Sequence, residues 1–482
     1  MGFLSRLGDF ITPGRALKGE AIRQARMVYD GASRSRRTQG WRSVSTDANT
    51  EVLGAASRLR DVARDMVRNV PLAARAKHLI AHNVVGTGII PTIECDDEQL
   101  KGQLEDLLKQ HFDTTACDAY GRHDLYGQQN VVMGTVPESG EALIRYRPRY
   151  ASDGLPLPFQ LQVMEPDYLD SSVNGPQANG NYAVQGIEFN PFGKIEAYHL
   201  FPEHPGSMAT YSLQVSKPVP AEFIAHVFYT QRPGQARGIS WFAPVILRMR
   251  DRADFADAHL MRQKIAACFV AFIKSSEGSG VKDEGKDYPV ESFEPGMIER
   301  LNDDEEVTFG TPPKVDDYAD YIKGQDREIA AGLGISYESF SGDLSNVNFS
   351  SGRMGWLVEQ RNIDAWRNFM LLPQMMQPVG KWFLDAAAIK LGRSISAKVL
   401  WTPPRREMIN PREEVAASRD AIRTGLSSRS NEQRKLGFDP ADLDEEIAAD
   451  NTRADDLGLI FDSDPRKVTS VGNPAPQQQP QN

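Results

Sequence analysis

The sequence predicts an α+β chain organised around long helices. Three observations carry this. Leu59, Val62, Ala63, Met66 and Val67 recur at helical spacing inside 55–85. Between 142 and 201, short apolar runs are punctuated by Asp153-Gly154, Asn174-Gly175 and Phe192-Gly193, which marks strands and turns. Finally, 326–354 reads as a helix, a glycine stop, a polar loop and a new helix. Ile329, Ala330 and Leu333 form its apolar stripe, and Gly332 with Gly334 suit a left-handed cap. The loop 342–351 is rich in Gly, Asp, Ser and Asn, and Ser350 or Ser351 is positioned to cap the next helix. Such a loop between long helices reads as a projection held by two rods, not as a catalytic pocket.

Residues 1–50 hold little core. Arg6, Arg15, Lys18, Arg23, Arg26, Arg34, Arg36, Arg37 and Arg42 outweigh Asp9, Glu20 and Asp30, as expected of a solvated, partly disordered arm. A docking arm is the sharper alternative, on a neighbouring subunit or on nucleic acid. In the first helical region Arg58, Arg60, Arg64 and Arg68 occupy the polar face, and Asn69-Val70-Pro71 breaks it. A second helix, about 72–83, leads into Val84-Val85-Gly86-Thr87-Gly88-Ile89. The Gly-x-Gly lacks a third glycine and runs helix to strand, the wrong order for a phosphate loop. His78 and His82 stand at i, i+4 but no third ligand is evident, which favours a structural role. Helices follow at 99–112 and 124–133. Strands follow at 142–149, 159–164, 183–189, 195–201 and 223–229.

Trp241, Phe242, Val245, Ile246 and Met249 open a long helix over 238–273, with Leu260, Ile265, Ala266 and Phe269 continuing it. Thirty residues would span about 45 Å. The stretch 275–313 is glycine-rich and acidic, with Glu284, Asp287, Glu291, Glu294, Asp303, Asp304, Glu305 and Glu306, and short strands fit at 297–301 and 306–309. A helix over 315–333 returns to the loop. Beyond it, Pro373 and Pro378 should kink the helix that runs to 391. A strand at 397–401, helices at 413–424, 430–436 and 440–450, and a disordered Pro/Gln/Asn/Ser tail from 462 complete the chain.

The 482 residues, 40% hydrophobic, suffice for two or three cored domains. A net charge of -10 counts against a simple basic DNA-binding clamp. Cys95, Cys117 and Cys268 lie far apart, which suggests reduced thiols and no zinc site. No apolar run reaches the roughly 20 residues that span a bilayer, so a soluble protein made inside a cell is expected. Walker A, HExxH and GxSxG patterns are absent. Pro166-Asp167 with Glu284-Gly285-Lys286 makes a poor nuclease pattern because the gap is too long. No enzyme, cofactor or metal is expected, and function is expected to lie in assembly.

These segments, from about Arg58 to Asp450, resemble the lambda-type family of tailed-bacteriophage portal proteins. The resemblance rests on Arg64-Asp65-Met66-Val67-Arg68-Asn69 with Asn83-Val84-Val85-Gly86-Thr87-Gly88-Ile89, and on Glu165-Pro166-Asp167. It continues through Arg232-Pro233-Gly234-Gln235-Ala236-Arg237-Gly238-Ile239-Ser240-Trp241 with Ala243-Pro244-Val245. Glu328-Ile329-Ala330-Ala331-Gly332-Leu333-Gly334 and Ser341-Gly342-Asp343-Leu344-Ser345-Asn346-Val347-Asn348 follow, then Trp401, Pro403-Pro404-Arg405 and Gly425-Leu426 with Ser428-Arg429-Ser430. The arm and the tail match nothing.

The resemblance implies a portal-type subunit. Its parts would be an α+β wing (51–240), a stem helix (241–275), a clip (276–314), a returning stem helix (315–340), a tunnel loop (341–352), a kinked helix with a wing strand (353–409) and a helical crown (410–461). Twelve such subunits would ring the portal vertex of the virion after synthesis in the bacterial host cytoplasm. Double-stranded DNA would pass through without sequence specificity. Asp343, Ser345, Asn346, Asn348, Ser350 and Ser351 would line the channel at the tunnel loop. Glu291, Glu294 and Asp303 to Glu306 would dock the terminase large subunit and the head-tail connector. Capsid protein or scaffold is a further implied partner, and a membrane is not. A phage-particle enzyme such as a metal-dependent nuclease, and a non-portal ring adaptor, stay open at this stage.

Overall fold

Val70 holds extended backbone (φ -110, ψ 111) ahead of Pro71, and that break separates α1, Ala56–Asn69, from α2, Pro71–Val85. The computed structural model describes residues 44–208, 214–267, 271–275, 305–309, 318–404, 410–438 and 440–461, with Arg36, Gly40 and Arg466. The basic arm before Val44, the clip residues Glu291, Glu294, Asp303 and Asp304, and nearly all of the tail lie outside them. The chain divides into Met1–Glu51 and Val52–Asn482. In the first unit the Asp47 carboxylate accepts from Thr50 N at 3.2 Å, at the start of the short helix Ala48–Leu53.

After α2 come β1 (Ile90–Glu94), α3 (Glu98–Phe112) and α4 (Leu125–Ser139). Asp97 and Asp124 cap α3 and α4 by accepting from Leu100 N and Gly127 N. α4 outruns its predicted end at 133 because Pro137 is accommodated inside its last turn. A three-stranded antiparallel sheet has β2 (Glu141–Pro148) between β3 (Phe159–Met164) and β9 (Ile224–Phe228). Five further strands form a meander: β4 (Gly175–Pro176), β5 (Tyr182–Val184), β6 (Ile187–Phe189), β7 (Ile195–Leu200) and β8 (Lys217–Pro220). The expected single strand over 183–189 is thus two. Gln185, with φ 50, and Gly186, with φ 86, turn the chain between them. β4 and β8 were not anticipated.

β2 divides the two cores because side chains alternate along a strand. Ala142 and Ile144 join the main core, which also holds Ile80, Leu104, Phe242, Ile329, Leu371 and Phe383. Leu143 joins the second core with Ile187, Tyr198 and Leu200. Burying each large side chain in such a core contributes about 1.5–3 kcal/mol.

The long helix starts later than predicted: α5 is Ile246–Ala267, about 33 Å long, and Ala271–Ser275 is a strand (β10). β10 pairs antiparallel with β11, Glu305–Phe309, in which Glu305 and Glu306 stand. α6, Tyr318–Leu333, packs on α5 through the Arg252–Asp326 ion pair, Arg248–Glu328 at 3.2 Å and a Phe255–Tyr321 ring contact at 4.4 Å. Gly332 is not a cap. A Cβ there would sit 2.4 Å from Val245 Cγ1, so the residue permits close approach of α6 to the segment before α5. α7 (Tyr337–Ser341) and α8 (Phe349–Trp366) follow. Instead of a simple proline kink, Arg367–Met376 is π-helical with Pro373 inside, and α9, Gln377–Leu391, continues from it. β12 (Lys398–Thr402) pairs with β1. α10 (Pro411–Arg423), α11 (Arg429–Lys435) and α12 (Pro440–Asp456) end the described chain.

One core residue conflicts with its surroundings. His111 is fully buried 4.6 Å from the Phe159 ring, and neither ring nitrogen has a hydrogen-bond partner. Burial pushes its pKa down to about 4. The folded state therefore binds fewer protons than the unfolded one, so stability falls as pH drops from 6.5 towards 4, on the order of 3 kcal/mol in full. His111→Leu is expected to raise the urea midpoint at pH 7 and to raise it further at pH 5. An equal midpoint gain at both pH values would show that His111 does not titrate as a buried neutral ring.

Candidate functional site

The loop between α6 and α8 is mounted on a polar hub. Gly334, with φ 72, ends α6, and Asn362 Nδ2 donates to its carbonyl at 2.8 Å. Ser336 caps α7 by accepting from Ser339 N at 3.2 Å. Both serine hydroxyls donate to Glu359 Oε2, at 2.7 and 2.8 Å, and Asn83 Nδ2 donates to Oε1 at 3.0 Å. Glu359 is only 2% exposed, so its hydrogen bonds offset the cost of burying a charge. Arg75 Nε donates to Ser339 O at 3.1 Å from α2. Gly342, with φ 74, caps α7 and leaves room for the same guanidinium, since a Cβ there would lie 3.4 Å from Arg75 Nη2.

Within the loop, Asp343 is the organiser. Ser345 donates to its Oδ1 from Oγ (2.5 Å) and N (3.0 Å), Tyr337 Oη donates to Oδ2 at 3.1 Å, and Lys323 Nζ lies 3.6 Å away. The Ser345 hydroxyl, then its amide and Tyr337, hold the carboxyl at a pKa of about 2. Asn348, not Ser350 or Ser351, is the N-cap of α8. Its Oδ1 accepts from Ser351 N at 2.8 Å while Ser351 Oγ accepts from Asn348 N at 3.1 Å. Asn346 and Ser350 are exposed. The structure therefore brings the six predicted loop residues together, but Asp343, Ser345, Asn348 and Ser351 hold the loop's shape. Lys323, Arg75 and Glu359 escaped the sequence reading because each is an ordinary helix residue whose partner is remote in the chain.

The other motif residues also converge. Arg64 reaches Glu165 at 2.9 Å and Asp167 at 2.6 Å, and Arg60 reaches Asp167 at 3.2 Å. These two arginines therefore face inward, into ion pairs with the segment after β3. Glu165, Asp167 and His204 lie close enough together to hold a cation, yet both carboxylates are already paired with Arg64. The nuclease partners Glu284 and Lys286 lie outside the described residues. The His78 and His82 rings stack at 5.8 Å, and no third ligand joins them among the described residues.

Glu141 accepts from Arg237 Nε at 2.8 Å, Arg237 Nη2 at 2.5 Å, His226 Nε2 at 2.9 Å and Gly238 N at 2.8 Å, all within the protein interior. Burial alone would raise its pKa, but the Arg237 charge and the His226 contact outweigh burial and hold it far below the ordinary carboxylate range. Gly238 is needed because a Cβ there would meet Gly140 O at 2.2 Å. Gln235 folds the same segment, accepting from Gln231 N and Arg232 N and donating to Arg237 O.

Residues 34–367 match the model of phage portal proteins of the lambda family. The chain belongs to that family. It is 26% identical over 462 residues to a probable portal protein of Halomonas phage phiHAP-1, covering 90% of this chain and 88% of that protein. The portal protein of Escherichia phage N15 is 22% identical over 453 residues, covering 83% and 85%. Among solved structures, a chain from the neck of a native gene transfer agent particle, computed with C12 symmetry, is 16% identical with a TM-score of 0.46. That match covers 79% of this chain and 94% of the other. The mixed α+β fold expected of a portal-type subunit is the fold found, and two of the motifs that suggested the family join separate elements of it, Arg64 to Glu165 and Asp167 and Arg237 to Glu141.

Proposed function

We propose that this portal-family chain forms a closed ring, a dodecamer, at the portal vertex of the virion. Double-stranded DNA passes through the ring during packaging and ejection. The terminase large subunit, a head-tail connector and capsid protein or scaffold dock on it. In this reading 51–240 is the wing, 241–275 and 315–340 the stem, 276–314 the clip, 341–352 the tunnel loop and 410–461 the crown. The acidic residues Glu291, Glu294 and Asp303 to Glu306 serve partner docking, of which the described strand β11 carries Glu305 and Glu306.

The single observation that carries ring assembly is the uncovered apolar patch on the outer face of α8. Its inner face already packs into the core through Ile363 and Trp366, with Glu359 and Gln360 buried beside them. Its outer face presents Met354, Leu357 and Val358, 63%, 46% and 55% exposed. The same side continues onto the π-helical segment with Phe369, 78% exposed. An apolar helical face of this extent calls for a covering surface, and in a ring each copy covers a different patch of its neighbour. The net charge of -10 suits a channel that passes a polyanion without gripping it.

Leu357→Glu with Val358→Glu is expected to yield folded monomers in place of rings, read by light scattering with circular dichroism as the folding control. A wild-type protein that stays at 53.5 kDa at high concentration would overturn the proposal.

A further inference from the structure

α12 projects with almost its whole length exposed; Arg429 to Asp444 at 2.8 Å and Gln433 to Asp444 at 3.2 Å tie it to α11, and Arg466 pairs with Asp455 at 3.5 Å. At its C-terminus the chain folds back. Gly458 takes φ 68, Gly458 N donates to Asp455 O at 3.2 Å and Leu459 N donates to Ala454 O at 2.9 Å. Leu459 to Phe461 therefore return beside the helix and enclose a groove of about 580 Å³ whose apolar wall is Ile447, Ala454, Leu457, Leu459 and Phe461 and whose polar rim is Asp450, Asn451 and Arg453. Leu457, Leu459 and Phe461 remain 66%, 45% and 53% exposed, and Ile460 beside them 69%. Such a density of exposed large apolar side chains at a helix end marks an interaction site.

The charge around the groove selects the occupant. α12 carries seven carboxylates and a single base, Arg453, which Asp450 neutralises at 2.5 Å. Glu446 stands exposed at the edge of the groove, one turn before Asp450, which lines it. Duplex DNA is repelled by this surface, and α12 of a second copy brings the same sign of charge. We propose that the groove docks a cationic amphipathic helix of another protein, with the helix's apolar face against Leu459 and Phe461 and its basic edge against Glu446 and Asp450. The groove is formed within one chain and is separate from the α8 patch that carries ring assembly.

The test uses the full-length protein and a fluorescein-labelled synthetic Leu/Lys peptide patterned as an amphipathic helix, read by fluorescence anisotropy. Wild type should bind it. Leu459→Ser with Phe461→Ser, and separately Glu446→Lys with Asp450→Lys, should each weaken binding roughly tenfold or more while circular dichroism is unchanged. The proposal is overturned if wild type does not bind, or if a peptide of the same composition with scrambled pattern binds equally, which would reveal bare charge attraction. It is also overturned if neither variant loses binding, if duplex DNA competes for the groove, or if the serine variant instead abolishes self-association, which would make a second copy the occupant.

Discussion

Arg237→Met is expected to destabilise the protein by about 3–5 kcal/mol at neutral pH, the largest effect of any single substitution considered. Removing the guanidinium leaves Glu141 buried with only His226 and the Gly238 amide as donors. Burial then raises the Glu141 pKa, where the wild-type pair lowers it. The sign of the pH dependence follows. In wild type the folded pKa lies below the unfolded value, so the contribution is present above the ordinary carboxylate range and persists at neutral pH. In Arg237→Met the folded pKa lies above the unfolded value, so stability is lost as pH rises through it. The mutant's deficit should be smaller at pH 5 than at pH 8 in urea unfolding, and Glu141→Gln should recover part of it in the Arg237→Met background. Arg237 Nη1 also holds Gln185 O at 2.9 Å, so the turn between β5 and β6 should show faster amide exchange in the mutant. A pH-independent deficit under 1 kcal/mol would mean that the pair does not carry this junction.

This junction also shows what was legible in the sequence. Arg232 to Trp241 stood out as a motif, and its fold was not readable: Gly238 answers to Gly140, and Arg237 to Glu141, nearly a hundred positions earlier. Helices with a strong period and a chain break, such as α1 and α2, were read to within a residue or two because spacing and Pro71 are local signals. Strand 183–189 was misread because a Gln-Gly pair in an apolar run carries little turn signal, and it is Arg237 that holds the turn. The π-helical stretch looked like a proline kink because Pro373 is visible in sequence. Buried Arg367, which donates to Val84 O and to Asn83 O at 2.5 and 2.7 Å, gives no sign that it ties the segment to α2. At the loop, composition located the turn, but Asn348 won the cap over Ser350 and Ser351 because Ser351 sits at the third helical position and reciprocates. The uncovered apolar patch on α8 was hidden for a related reason: periodicity reports an apolar face without saying whether this chain or another covers it.

Asn346→Lys is expected to leave folding and ring assembly intact and to slow DNA passage. Asn346 is exposed at the tip of the loop, whereas Asn348 supplies the α8 cap, so Asn348→Lys would add a loss of about 1 kcal/mol from capping and confuse the result. The loop's own charges are largely internal, because Asp343 is held by Ser345, Tyr337 and Lys323. A lysine at 346 therefore adds a free cation to each subunit. A duplex presents about one phosphate charge per 1.7 Å, so a ring of such cations meets it at every step of translocation. Each phosphate neutralised adds about 0.9 to the logarithmic salt slope. With about two lysines engaged at once, retention should change roughly tenfold over about a fourfold change in salt. Packaging and ejection assays should therefore show slow passage at low salt that recovers as salt rises, with Asn346→Ser behaving as wild type. If Asn346→Lys rings package and eject DNA at the wild-type rate at low salt, the loop does not meet the duplex and the tunnel-loop assignment falls.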